Sequence, residues 1–132
     1  SVIGAIDVKK NWRGKKQVMS RSGTQRTGYD PVSWALKLEE SGVGEILLTS
    51  VDHEGTWEGF DFELVSEVSQ AVSVPVIAHG GSGNLHHLGT VVNDFGASAV
   101  AIGSMVVYQK KGMGVLVNFP DRKLLKNALS KK

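Results

Sequence analysis

Four short apolar runs stand out in an otherwise mixed chain: VIGAID at 2–7, EILLTSVD at 45–52, VPVIAHG at 74–80 and AVAIGSM at 99–105. All are rich in Val, Ile and Ala without strict alternation, the pattern of parallel strands covered on both faces. Between them the spacing changes to that of helices. DPVSWALKLEESG (30–42) offers Asp30 as a cap, Pro31 in the first turn and Gly42 as a stop. DFELVSEVSQAV (61–72) places Phe62, Val65, Val68 and Val72 on one face. Asn84 is positioned to cap LHHLGTVVNDFG, which closes on Gly96, and Asp121 begins a last helix, DRKLLKNAL.

Strand, loop and helix recurring four times predict an α/β fold with parallel strands and right-handed crossovers. Four βα units are half of a (β/α)8 barrel, and the chain reads as a fragment whose upstream part is absent. The abrupt opening on Ser1, with apolar residues from Val2, fits that expectation. A half-barrel leaves two sheet edges and an apolar face exposed, so association is expected.

Composition narrows the setting. The chain has 132 residues, 41% hydrophobic and 21% charged, which is globular rather than disordered. A net charge of +2, with both signs interspersed and no aromatic residues alternating with Lys or Arg, argues against nucleic acid. With no cysteine, disulfides and thiolate metal sites are excluded. No apolar run approaches the ~18 residues a membrane helix needs, so no membrane partner is expected. No signal peptide precedes the first strand, and a cytoplasmic location is the expectation. The Lys131-Lys132 pair reads as a solvated tail.

Polar residues gather at the ends of the apolar runs: Asp7, Asp52, the HGGSG loop from His79 to Gly83, and Gly103-Ser104. In open sheets and closed barrels alike, that end of the strands carries the chemistry. Glycine lets backbone N–H groups approach an anion, and a helix start adds favourable partial charge. Two such loops after successive strands therefore predict a phosphate site, against the plainer reading of turn glycines. Asp7 is poised to accept and return a proton, or else to partner Lys9, Lys10 or a loop N–H. In an extended segment Asp52 and Glu54 would point the same way. A metal held by Asp52, His53 and Glu54 is disfavoured, because adjacent residues rarely ligate one ion together. His86 and His87 read as solvent-facing, and Trp12, Trp34 and Trp57 as packing or loop-anchor residues. No nucleophile–base spacing is visible, and no cofactor or metal is expected.

AIDVKK, SGTQRTG, GVGEILLTSVDHEGTWEGFD, PVIAHGGSG and GASAVAIGS, in that order, resemble the second half of the HisF family. These are the cyclase subunits of imidazole glycerol phosphate synthase, which are (β/α)8 barrels. The resemblance covers nearly all of residues 2–105. It implies ammonia-dependent ring closure and cleavage of a bisphosphorylated phosphoribulosyl nucleotide in histidine biosynthesis, with ammonia delivered by a glutaminase partner, HisH. It implies half of a TIM barrel equivalent to strands 5–8, with residues 1–132 as one C-terminal half-barrel domain whose N-terminal half is absent, and Asp7 as one of two acid/base aspartates, the other lying in that absent half. Gly55, Gly81, Gly103 and Ser104 match residues that bind a substrate phosphate. Thr49 and Asp52 match positions lining the substrate cleft, and Glu45 matches a member of the charged gate where ammonia enters.

The chain departs from the family pattern at two cleft positions: Glu54 stands where Asp is usual, and His79, before Gly80, where Ser is usual. The tail KKGMGVLVNFPDRKLLKNAL resembles HisF-like paralogues found with surface-polysaccharide genes, thought to supply ammonia for amidinating a sugar. Three readings follow. One is a cyclase half-barrel, inactive alone. The second is a paralogue channelling ammonia to a sugar amidotransferase. The third is a non-catalytic phosphate-binding half-barrel that pairs with a second copy of itself.

Overall fold

The computed structural model describes residues 1–108 and 114–130; the Lys131-Lys132 tail and residues 109–113 of the divergent tail lie outside the described residues. Among the described residues six strands form one sheet in the order β3-β2-β1-β4-β5-β6. β1 (Ile3–Lys10), β4 (Glu45–Ser50), β5 (Val76–His79) and β6 (Ala99–Ala101) are parallel neighbours, and they coincide with the four apolar runs. The helices α1 (Pro31–Glu40), α2 (Phe62–Ala71) and α3 (Leu85–Asn93) link them in turn. A single turn, α4 (Ser104–Val107), and a final helix, α5 (Arg122–Leu129), follow β6.

The helix ends form as local chemistry dictates. Asp30 accepts from the Ser33 N–H, Pro31 occupies the first turn, and the chain leaves α1 through Gly42 at φ +89°. There the Gly42 N–H donates to the Glu39 carbonyl and the Val43 N–H to the Leu38 carbonyl, a paired closure of the last turn. Asp61 caps α2 through the Leu64 N–H, Asn84 caps α3 through the His87 N–H, and Asp121 caps α5.

Two features differ from the sequence expectation. The strands are not covered on both faces. Ile6, Val8, Ile46, Leu48, Val76 and Ala78 are buried beneath the helices, against Ala35, Leu64, Val68, Leu88 and Val91. On the opposite face Ile3 and Ala5 of β1 and Ala99 of β6 are exposed, and Leu47 and Ile77 are only half-buried. That face is apolar too, which is why the runs lack alternation: it is the side that faces the interior of a closed barrel.

The second difference is β2 (Lys16–Ser20) and β3 (Gln25–Arg26), an antiparallel extension that pairs Val8 with Val18 and Asp7 with Met19. It turns through Arg21, Ser22 and Gly23, all at positive φ. Its anchor is nonlocal. Lys16 Nζ lies 3.0 Å from Asp61 Oδ1 and 2.8 Å from Glu63 Oε2 at the start of α2.

Candidate active site

Strand register places the polar residues in rows. Asp7 of β1 is level with Thr49 of β4, Thr49 with His79 of β5, and His79 with Ala101 of β6. Level partners on parallel strands point to one face. This row therefore crosses the uncovered face at the C-terminal ends of the strands, above the apolar row Ala5, Leu47, Ile77 and Ala99. Glu45 sits at the other end of β4, level with Ile3. Four residues of strand put it about 13 Å below Thr49, so the proposed gate residue and the cleft occupy opposite ends of the sheet.

The loops beyond the row are stitched together. After Ser50 the chain turns tightly, with the His53 and Glu54 N–H groups both donating to the Ser50 carbonyl. The Gly59 N–H then donates to the Gly81 carbonyl, joining the β4–α2 loop to the β5–α3 loop. The contact is close: a Cβ on Gly81 would overlap the Gly59 carbonyl oxygen, and one on Gly83 would overlap that of Trp57. Gly81 also sits at φ +103°. Packing thus accounts for part of the glycine content that the sequence attributes to a ligand. Gly103 differs, since a Cβ there would meet nothing within 4 Å.

Between these loops lies a cleft of about 110 Å³ lined by Glu54, Gly55, His79, Gly80, Gly81, Ser82, Ala101, Ile102, Gly103 and Ser104. Most of the candidate ligand-binding residues come together here. Among the described residues, the backbone N–H groups of Gly55, Gly81, Ser82, Gly103 and Ser104 donate to no protein acceptor. Gly81 and Ser82 are buried, and buried donors of that kind call for a partner. Converging backbone donors suit a small anion.

Asp7 is half-buried, and among the described residues it makes no ion pair or side-chain hydrogen bond. The neighbouring Lys10 N–H donates not to it but to Asp52 Oδ2, at 2.7 Å. Asp52 therefore ties the end of β1 to the loop after β4 and stands outside the cleft lining. Since β4 ends at Ser50 and residues 51–55 form turns, Asp52 and Glu54 are not on an extended segment and do not act as a pair. His53 turns back, with Nδ1 2.8 Å from Ser50 Oγ. Thr49 is buried, and its Oγ1 lies 3.1 Å from His79 Nδ1. Among the described residues no group of three His, Asp or Glu side chains is arranged to hold a metal.

His86 is exposed as expected, but His87 is half-buried, and its Nδ1 accepts from the Gly83 N–H at 3.1 Å. Burial, with a smaller contribution from neighbouring His86, pushes its imidazole below the ordinary histidine range. His87 thus supports the glycine loop, a role that nothing in the helical spacing around it indicates. Trp34 packs against Tyr29 with ring centroids 4.7 Å apart and planes tilted by 35°, and Trp57 occupies a loop at φ +67°, but Trp12 is 80% exposed, with Arg13 over its ring.

A parallel α/β sheet with its polar residues at the C-terminal strand ends and one apolar face open defines half of a (β/α)8 barrel. Comparison with known proteins gives the family. Residues 1–112 match the model for the histidine biosynthesis protein family, and the chain belongs to it. It is 50% identical over 99 residues to the imidazole glycerol phosphate synthase subunit HisF of Metallosphaera sedula, covering 75% of this chain and 39% of that one. It is 42% identical over 119 residues to the same-named subunit of Clostridium botulinum, 89% of this chain and 47% of that one. The hisF2 protein of Pseudomonas aeruginosa, provisionally described as a subunit of that synthase, is 44% identical over 121 residues, 92% of this chain and 48% of that one. The chain spans about half or less of the length of these curated relatives.

Proposed function

We propose that this chain is the C-terminal half-barrel of an imidazole glycerol phosphate synthase cyclase subunit, with residues 1–132 as one half-domain completed by an N-terminal half. The reaction is ammonia-dependent ring closure and cleavage of a bisphosphorylated phosphoribulosyl nucleotide, in a cytoplasmic complex with a HisH-like glutaminase. The observation that carries this reading is the cleft itself. Five backbone N–H groups without protein acceptors among the described residues surround a space of phosphate-binding character at the strand ends. One phosphate of the substrate sits there, against Gly55, Gly81, Gly103 and Ser104. The other is held by the completing half.

Asp7 then acts as acid/base. Its carboxylate lies in the same row as Thr49 and His79, two strands from the cleft, and no protein cation neutralises it among the described residues. Thr49 holds His79 in place. Asp52 holds the β1 and β4 ends together, and Glu45 lies at the far end of the sheet, where ammonia enters. Enclosing ammonia and substrate in one cleft contributes through positioning, an effect that reaches ~7 kcal/mol or more in favourable cases. The test is ammonia-dependent turnover of the histidine-pathway nucleotide by this chain co-folded with a HisF N-terminal half. Turnover is expected, and it is expected to disappear in Asp7→Asn. A folded complex without turnover would contradict the assignment.

A second reading, the paralogue that channels ammonia to a sugar amidotransferase, is favoured by the cleft lining. Glu54 and His79 both reach the space where the substrate phosphate would lie, so the ligand itself is open to change. Gained cyclase turnover in His79→Ser would support divergence from the histidine enzyme.

A further inference from the structure

The cleft has an unusual charge balance for an anion site. Among the described residues its lining contains no lysine and no arginine; the ionisable side chains are one carboxylate, Glu54, and one imidazole, His79. Backbone N–H groups alone would have to hold a dianion beside a negative Glu54. The like charge opposes binding. His79 is the lining group that can reverse that balance, because imidazole is the side chain whose charge ordinarily changes between about pH 5 and 8.

The geometry prepares it for the task. His79 Nδ1 lies 3.1 Å from Oγ1 of Thr49, which is buried on the neighbouring strand. The following residue is locked as well: a Cβ on Gly80 would come 2.6 Å from the Ser50 carbonyl oxygen. With Nδ1 engaged and the backbone held, Nε2 is the ring nitrogen without a partner among the described residues. The charged groups around it are few. The β4–α2 loop contributes Glu54, β1 contributes Asp7 in the same row, and the β6–α4 connection, with Ile102, Gly103 and Ser104, contributes no charged group among the described residues. His53, on the β4–α2 loop, is occupied by Ser50.

We propose that His79 makes ligand binding in this cleft proton-coupled: as the imidazolium it donates from Nε2 to the phosphate group of a phosphate monoester, and as the neutral imidazole it releases that group. The inference rests on the anion-site reading given above and adds a positive charge that the lining lacks among the described residues.

Inorganic sulfate is the discriminating probe, since it stays a dianion across the range and any pH dependence belongs to the protein. Binding to the full chain is measured calorimetrically from pH 8 to pH 5.5 for the wild type, His79→Ser and His79→Gln. Wild-type affinity is expected to rise about tenfold as pH falls, the scale of one charge-assisted hydrogen bond. Both variants are expected to bind weakly and without that rise. In parallel, the His79 ring nitrogens followed by NMR should respond to sulfate at Nε2. Wild-type binding that is independent of pH would overturn the proton coupling while leaving the anion site standing. A pH dependence retained in both variants would do the same, and would move the effect to His53 or His87. No sulfate binding at any pH, by a chain whose amide spectrum is dispersed, would overturn the anion site and the coupling together.

Discussion

At the scale of single residues, the glycines of the two loops have different jobs, and substitution separates them. Gly81 is pinned against the Gly59 carbonyl at positive φ. Gly81→Ala is therefore expected to cost about 3 kcal/mol through steric overlap and backbone strain, read from urea denaturation. Gly103 faces open space, so Gly103→Ala should cost clearly less stability yet weaken anion binding. Equal effects on stability would contradict the distinction. His87 predicts a pH effect of definite sign. Its folded-state proton affinity is lowered, chiefly by burial, so the unfolded chain takes up the proton first. Stability is then full above the ordinary histidine value of about 6.5 and declines as pH falls below it. Thermal denaturation at pH 7.5 and 5.5 should show a loss in the wild type that is smaller in His87→Gln. Both residues also mark the limit of what the sequence discloses. A glycine-rich loop is visible as such, but whether its glycine serves a ligand or a neighbouring carbonyl depends on where a distant loop comes to rest.

At the scale of elements, what was legible was what is local. The caps Asp30, Asn84 and Asp121 act within three residues of themselves, and all three do so as the sequence indicates. The four parallel strands were legible because their apolar runs are dense. The β2–β3 extension was not, since KQVMS has only Val18 and Met19 as apolar residues and its attachment runs from Lys16 to Asp61 and Glu63, 45 and 47 residues away. That attachment predicts an acid effect. Burial alone would raise the Asp61 carboxyl, but the Leu64 N–H and the Lys16 ammonium outweigh it and hold it below the usual aspartate range. Its contribution is therefore present above the ordinary value of about 3.9 and lost as pH falls through the lowered folded value. Asp61→Ala removes both the cap and the anchor. It should lower stability by about 1–2 kcal/mol near neutrality, and by less in strong acid; a loss that does not change with pH would contradict this account of the anchor.

At the scale of the whole molecule, the open apolar face determines behaviour. Ile3 is 53% exposed and Ala5 and Ala99 are exposed with it, so the chain is expected to associate in light scattering, with itself or with a complementary half. Ile3→Glu should shift it toward monomer, whereas a wild-type chain that is a clean monomer at all concentrations would count against an adhesive face. The same geometry bears on catalysis. The proposed function gives this chain one acid/base carboxylate, Asp7, and half of a substrate cleft, so the isolated chain should turn over substrate negligibly, and measurable turnover would sink that expectation. The proposed anion site between the β5–α3 and β6–α4 connections can be tested without catalysis. An amide-resolved NMR titration of the full chain with inorganic phosphate tests it most directly. Saturable shifts concentrated at Gly55, Gly81, Ser82, Gly103 and Ser104 are the predicted result. A well-dispersed spectrum in which those amides stay still, or move no more than the rest of the surface, would contradict it.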